Sequence, residues 1–349
     1  MSDQSWFDDA RFGMFVHWGH SSQQGIELSW PLVGGNFTLP PGDVPVEQYH
    51  ASAPTFDPQA WDARELARTA KRLGMQYAVI TAKHHDGYAM YHTKQSDFSI
   101  AHSRFGRDIV REFVDAVRAE GLHAGIYFSL IDWHHPDYPA FVESDKPYGF
   151  GKWRQPTGEQ WERFRAFMFA QVRELLTDYG KIDVIWFDGH WERTREQWHA
   201  AELASMIREL QPGILINDRL PGAGDYATPE QFVPAQPPAG RWETCMTMNE
   251  SWAYNPADTA WKSPRLLVQT LCEVAGRGGN LLLNIGPMGD GRVPPEIAER
   301  LAAIEPWIAR NAESIIGTTP GLEPWQCYGA STKRGDTVYV HLLLRPYET

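Results

Sequence analysis

The chain has 349 residues, 42% of them hydrophobic, and a formal net charge of −12. That apolar content supplies a large core, enough for one barrel of roughly 250 residues with additions. With no basic stripe and no run of 18 apolar residues, the sequence argues against nucleic acid and membrane as partners.

The three cysteines, Cys245, Cys272 and Cys327, are widely spaced and form no C-x-x-C. Neither a disulfide framework nor a cysteine-type zinc site is indicated. The first residues, Met1-Ser2-Asp3-Gln4-Ser5-Trp6, carry no basic segment followed by an apolar one, so a cytoplasmic setting is the default expectation. Fifteen tryptophans and 13% aromatic residues are a high content. Flat apolar rings serve cores, and they also stack on sugars.

In chain order, short apolar runs alternate with amphipathic stretches. Residues 12–17 read as a strand, and 57–73 as a helix with Pro58 in its first turn and Gly74 at its end. Residues 77–82 are a strand, 107–120 a helix stopped by Gly121, and 123–130 a strand. Thr157-Gly158-Glu159-Gln160 fits a capping box opening a long helix over 157–179, with Phe164, Phe167, Met168, Val172, Leu175 and Leu176 as its stripe. A strand over 183–187, a helix over 195–210 and a strand over 214–217 follow. A further strand is expected near 245–248, then a helix over 264–275, a strand over 280–285 and a helix over 294–312. This alternation predicts an α/β fold with a mostly parallel sheet, closed as an irregular (β/α)8-like TIM barrel over residues 1–316. From Gly317 the pattern becomes glycine-punctuated and β-type, as in Thr337-Val338-Tyr339-Val340-His341-Leu342. Residues 317–349 read as the start of a C-terminal β module, a truncated sandwich or a flap packed on the barrel, since thirty-odd residues cannot bury a sandwich core alone. Pro-Gly-rich loops stand at 39–46 and 234–240.

Polar clusters follow five of the strands: His17; His84-His85-Asp86; Asp132-Trp133-His134-His135; Asp188; and Asn217-Asp218-Arg219. In parallel α/β folds the carboxyl ends of strands carry the sites, so these residues point to one site at the barrel mouth. Asp188 ends the run Ile185-Trp186-Phe187, where a carboxylate is costly unless paired. Its alternative role is to cap the next helix.

Metal chemistry is the first alternative, through His17 and His20, yet neither H-x-H nor H-E-x-x-H occurs. G-x-S-x-G and a strand-borne G-x-G-x-x-G are also missing, which argues against a serine nucleophile and a dinucleotide. Carboxylate chemistry remains. Glycoside hydrolysis needs one ionised carboxyl and one protonated carboxyl flanking the bond. Asp188 is the nucleophile candidate, and Glu230, Glu243 and Glu250 are candidates for the acid. Arg219 could hold a carboxylate ionised or form a structural ion pair.

These residues sit in motifs that resemble the glycoside hydrolase family 29 α-L-fucosidases. The motifs are Trp6-Phe7-Asp8-Asp9-Ala10-Arg11-Phe12-Gly13-Met14-Phe15-Val16-His17-Trp18-Gly19, Ala82-Lys83-His84-His85-Asp86-Gly87-Tyr88, Tyr127-Phe128-Ser129-Leu130-Ile131-Asp132-Trp133, Trp186-Phe187-Asp188-Gly189, and Arg277-Gly278-Gly279-Asn280-Leu281-Leu282-Leu283-Asn284-Ile285-Gly286-Pro287. The resemblance runs from residue 6 to about 317 and is carried by the motifs together and in order. It implies a retaining hydrolase of terminal α-L-fucosyl linkages in oligosaccharides or glycoconjugates, needing no cofactor and no metal. Asp188 takes the nucleophile's place. Glu230, in Asp225-Tyr226-Ala227-Thr228-Pro229-Glu230, takes that of the acid/base, with Glu243 as runner-up. Sugar binding falls to His17, Trp30, His84, His85, Tyr127, Trp186, Arg219 and Trp252; Phe128 also aligns with the strand-three tyrosine. Retention implies carboxyl groups roughly 5–5.5 Å apart. A sugar-binding protein without turnover, and a glycosidase for L-galactose, are the competing readings.

Overall fold

The computed structural model describes residues 4–34, 42–323 and 325–343. Part of the loop at 39–46 and the end of the C-terminal module lie outside the described residues.

Seven parallel strands form the main sheet: β1 (Phe12–Val16), β2 (Tyr77–Lys83), β3 (His123–Ser129), β4 (Val184–Asp188), β5 (Leu215–Ile216), β6 (Glu243–Met246) and β7 (Asn280–Ile285). Their order is β5-β4-β3-β2-β1-β7-β6. Residues 226–230 lie between the two edge strands: Tyr226 bridges Asn217, Ala227 bridges Trp242, and Glu230 bridges Cys245, all parallel. Isolated bridges therefore link β5 to β6 through this segment, consistent with a (β/α)8-like barrel. No strand was expected there, because Pro229 and polar neighbours interrupt the apolar pattern.

Side-chain alternation explains why the sheet encloses a separate interior. Phe15, Tyr77, Val79, Tyr127, Val184, Trp186, Leu215, Cys245 and Leu282 form one buried cluster, with Phe7, Ala10 and Tyr226. Their neighbours in sequence, such as Met14, Ile80, Ile126, Ile185 and Leu283, join a second cluster with the helices. A strand turns successive side chains to opposite faces, so the first cluster fills the lumen and the second lies under the helical layer.

The long helix Gly158–Asp178 opens with the expected box: Thr157 Oγ1 accepts from the Gln160 amide, and Gln160 Oε1 from that of Thr157. Two helices start a full turn or more later than expected. The first is Ala63–Arg72, because Asp62 accepts from the amides of Arg64 and Glu65 and sets the N-cap there. The other is Ala200–Leu210, preceded by His199 at φ 50°, which breaks any helix upstream. β6 begins two residues before the expected 245–248. Beyond the barrel, Thr319–Pro320, Ala330–Arg334 and Thr337–His341 make a three-stranded antiparallel sheet. It lies on the barrel: Ser331 packs against Gly276, and Arg265 Nη2 donates to the Leu343 carbonyl at 3.0 Å. Among the described residues, no helix is long and apolar enough to cross a membrane.

Candidate active site

Because the strands are parallel, their carboxyl ends share one rim. His17 follows β1, His84 and His85 follow β2, Asp188 closes β4, Arg219 follows β5, and Glu230 lies on the bridging segment. Asp188 keeps the inward parity of Val184 and Trp186 and faces the lumen's mouth. The next residue, Gly189, has φ 77°, and a Cβ there would meet Ile131 at 2.9 Å. Only glycine lets the chain leave so sharply beneath the carboxylate.

Arg219 organises the centre. Its Nη1 donates to Asp188 Oδ1 at 2.9 Å and its Nη2 to Glu230 Oε2 at 2.5 Å. Nε donates to Thr228 Oγ1 at 3.2 Å, and the guanidinium lies 4.5 Å above the Trp186 ring. The Tyr127 hydroxyl donates to Asp188 Oδ2 at 2.9 Å, and His85 Nε2 stands 3.7 Å from the same oxygen. Burial opposes ionisation of Asp188, but the Arg219 charge and the hydrogen bonds from Arg219 and Tyr127 outweigh it and hold the carboxyl down at about 2. Asp188 is thus ionised at neutral pH. The Glu230 side chain is 39% exposed and reaches solvent.

The three histidines are neutral. Burial pushes His17 and His85 down to about 4 and His84 well below its ordinary value. Asn284 Nδ2 donates to the Trp252 carbonyl at 2.6 Å, so its Oδ1 accepts the Nδ1–H of His17 at 2.7 Å. Ser129 donates to the Ile131 carbonyl, so it accepts the Nδ1–H of His85 at 2.6 Å. In both rings the Nε2 lone pair is left as an acceptor. The His84 ring lies 4.1 Å from that of His85 and 6.1 Å from that of His17.

Apolar walls complete the site. Trp252 sits 4.8 Å from His17, and Tyr127 stacks on Trp186 at 5.5 Å. Trp30 is half-buried farther out, 5.7 Å from His85, and its ring parallels that of Trp191. Phe128 turns outward from the lumen beneath the Lys83 ammonium, so Tyr127 is the strand-three aromatic that meets Asp188. Glu243 is fully buried in the lumen below the mouth. Tyr77 donates to its Oε2 and Trp186 Nε1 to its Oε1 at 3.0 Å; burial nonetheless raises it to about 7. Glu250 is exposed, its backbone amide bonded to Asp258.

Sequence reasoning missed Glu27, Ser29 and Asn284, which hold the site residues from behind. Asn284 had a signal, as a polar residue at an inward position of an apolar strand. Among the described residues, no group of three or more His, Cys, Asp or Glu is placed to hold a metal.

Two carboxylates on one arginine, beside neutral imidazoles and aromatic walls at a barrel mouth, define the class of glycoside hydrolases. A family model described as Alpha-L-fucosidase matches residues 2–313. The alpha-L-fucosidase of Dictyostelium discoideum is 28% identical over 90% of this chain and 72% of its own length. The tissue alpha-L-fucosidase of Homo sapiens is 30% identical over 98% of this chain and 76% of its own. Among solved structures, alpha-L-fucosidase isoenzyme 1 from Paenibacillus thiaminolyticus matches with a TM-score of 0.88 and 37% identity, over 99% of this chain and 84% of that one. A GH29 alpha-L-fucosidase from Bacteroides thetaiotaomicron, trapped as a covalent intermediate with 2-fluoro-fucosyl fluoride, matches at 0.80 with 27% identity, over 95% and 80%. The chain belongs to the α-L-fucosidase family of glycoside hydrolases.

Proposed function

We propose that this chain is a retaining exo-α-L-fucosidase acting on terminal α-L-fucosyl linkages of oligosaccharides or glycoconjugates, with Asp188 as nucleophile and Glu230 as acid/base. The observation that carries the reading is the Arg219 guanidinium bound to both carboxylates. It keeps Asp188 ionised and keeps Glu230 within one guanidinium's span of it, in line with the short separation that retention needs.

In the first step, an Asp188 oxygen attacks the anomeric carbon while the bond to the leaving oxygen breaks and Glu230 delivers its proton there. In the second, Glu230 takes a proton from water, whose oxygen displaces Asp188 and releases the sugar with retained configuration. To reach the leaving oxygen, Glu230 must swing off the guanidinium, which its partial exposure allows. The acceptor nitrogens of His17 and His85 suit the hydroxyls of a polyol, and Trp186 and Trp252 offer apolar faces to the methyl group of fucose.

The test is release of nitrophenol from 4-nitrophenyl α-L-fucoside by the wild type and by Asp188→Gly, with azide added to the variant. Turnover that is lost in the variant and restored by azide supports the reading. Wild-type rates in a folded Asp188→Gly protein rule it out.

A further inference from the structure

Glu27 is a buried carboxyl that the mechanism does not use. It is 4% exposed and stands in the loop after β1, three residues before Trp30. Its Oε1 accepts the backbone N–H of Trp252 at 2.7 Å. The carbonyl of the same residue accepts from Asn284, which in turn binds His17. Side chains from two other elements therefore hold both backbone polar groups of Trp252, and the last link is a ring at the centre of the site.

Two residues on, Ser29 Oγ contacts His84 Nδ1 at 2.6 Å and accepts the Asp86 amide at 2.9 Å. Between these contacts Leu28 has φ 39°, a conformation that a bulky side chain rarely adopts. Its carbonyl accepts the Tyr49 hydroxyl at 2.8 Å, and Tyr49 is fully buried. Such strain persists only where the surroundings over-determine it, and it concentrates at functional sites. Here the twist sends Glu27 to one wall of the pocket and Ser29 to another.

We propose that Glu27 is a positioning residue for sugar recognition, which acts through Trp252 to set the apolar wall against the methyl group of the substrate. This rests on the reading above that the sugar is L-fucose and that Trp252 faces its methyl. Burial raises the Glu27 carboxyl to about 8, with Asp258 as the charged group facing it. That shift favours the neutral carboxylic acid, so a neutral amide is its closest mimic.

The experiment compares kcat and KM on 4-nitrophenyl α-L-fucoside and on 4-nitrophenyl β-D-arabinopyranoside, which keeps the three ring hydroxyls and lacks the methyl. A methyl in an apolar pocket is worth about tenfold or more in kcat/KM, and the wild type should show that preference. Glu27→Ala should cut the preference to about threefold or less, mainly by raising KM on the fucoside, with the arabinoside nearly unchanged. Glu27→Gln should keep it, because its Oε1 still accepts from Trp252. Glu27→Asp, one methylene short of that amide, should fall between, and it serves if the alanine variant does not fold. A folded Ala or Asp variant with the wild-type preference overturns the proposal, as does an equal loss on both substrates. A wild type that hydrolyses neither glycoside overturns the functional reading itself, and this inference with it.

Discussion

Arg219 holds Asp188 through Nη1 and Glu230 through Nη2, so one guanidinium touches both carboxylates of the proposed pair. The planar fork makes this possible, and lysine has only one nitrogen to offer. Arg219→Lys should therefore lower kcat/KM on an aryl fucoside by about 10²–10³, roughly 3–4 kcal/mol of transition-state stabilisation. The acid limb of the pH profile gives a second readout. Arg219 is the largest influence holding the Asp188 carboxyl down at about 2. Arg219→Ala removes that charge and lets the value rise toward the ordinary range, so the acid limb of this second variant should move to higher pH. An unmoved limb and a loss under threefold would show that Arg219 is only structural.

The two candidate acids part on leaving-group dependence. Glu230 reaches solvent, whereas Glu243 is sealed below the site with both oxygens engaged by Tyr77 and Trp186. Glu230→Ala should lose about 10²–10⁴ in kcat/KM on a fucosylated disaccharide and far less on fucosyl fluoride, whose leaving group needs little protonation. Glu243→Gln should lower both substrates by the same factor, because it disturbs only the platform under Arg219. The reverse pattern would reassign the acid to Glu243.

Stability should carry the mark of Glu27. Its folded value of about 8 lies above the ordinary 4.5, so the native state binds the extra proton. A raised value contributes stability that is fully present below about pH 4.5 and is lost as pH rises toward 8. Buried histidines titrate with the opposite sign, so the clean measurement is a difference. The advantage of wild type over Glu27→Gln in unfolding free energy should shrink between pH 5 and 8, with a slope of up to about 1.4 kcal/mol per pH unit, and should stay flat above. A difference that does not vary with pH would show that Glu27 is ionised throughout.

Disrupting the imidazole tautomers is a milder test. Ser129 fixes His85 through Nδ1, so Ser129→Ala should leave the fold intact and raise KM about three- to tenfold, the cost of one misdirected hydrogen bond. Equal KM values would mean that the ring is held by packing alone.

Much of this protein is determined locally. The 2-residue period of the strands, the Thr157–Gln160 box and the apolar run ending at Asp188 follow from propensity and side-chain alternation. So does the clustering of His17, His84, His85, Asp188 and Arg219 at strand ends, because parallel strands share a carboxyl edge. The tertiary structure decided what depends on distant pairing. Residues 226–230 become part of the ring only because β5 and β6 stand on either side of them. Glu230 and Glu243 are equivalent as letters, yet backbone pairing lifts one to the mouth and turns the other into the lumen. Glu27 is 225 positions from the tryptophan it holds, and no local pattern encodes a contact whose two ends meet only after the barrel has closed.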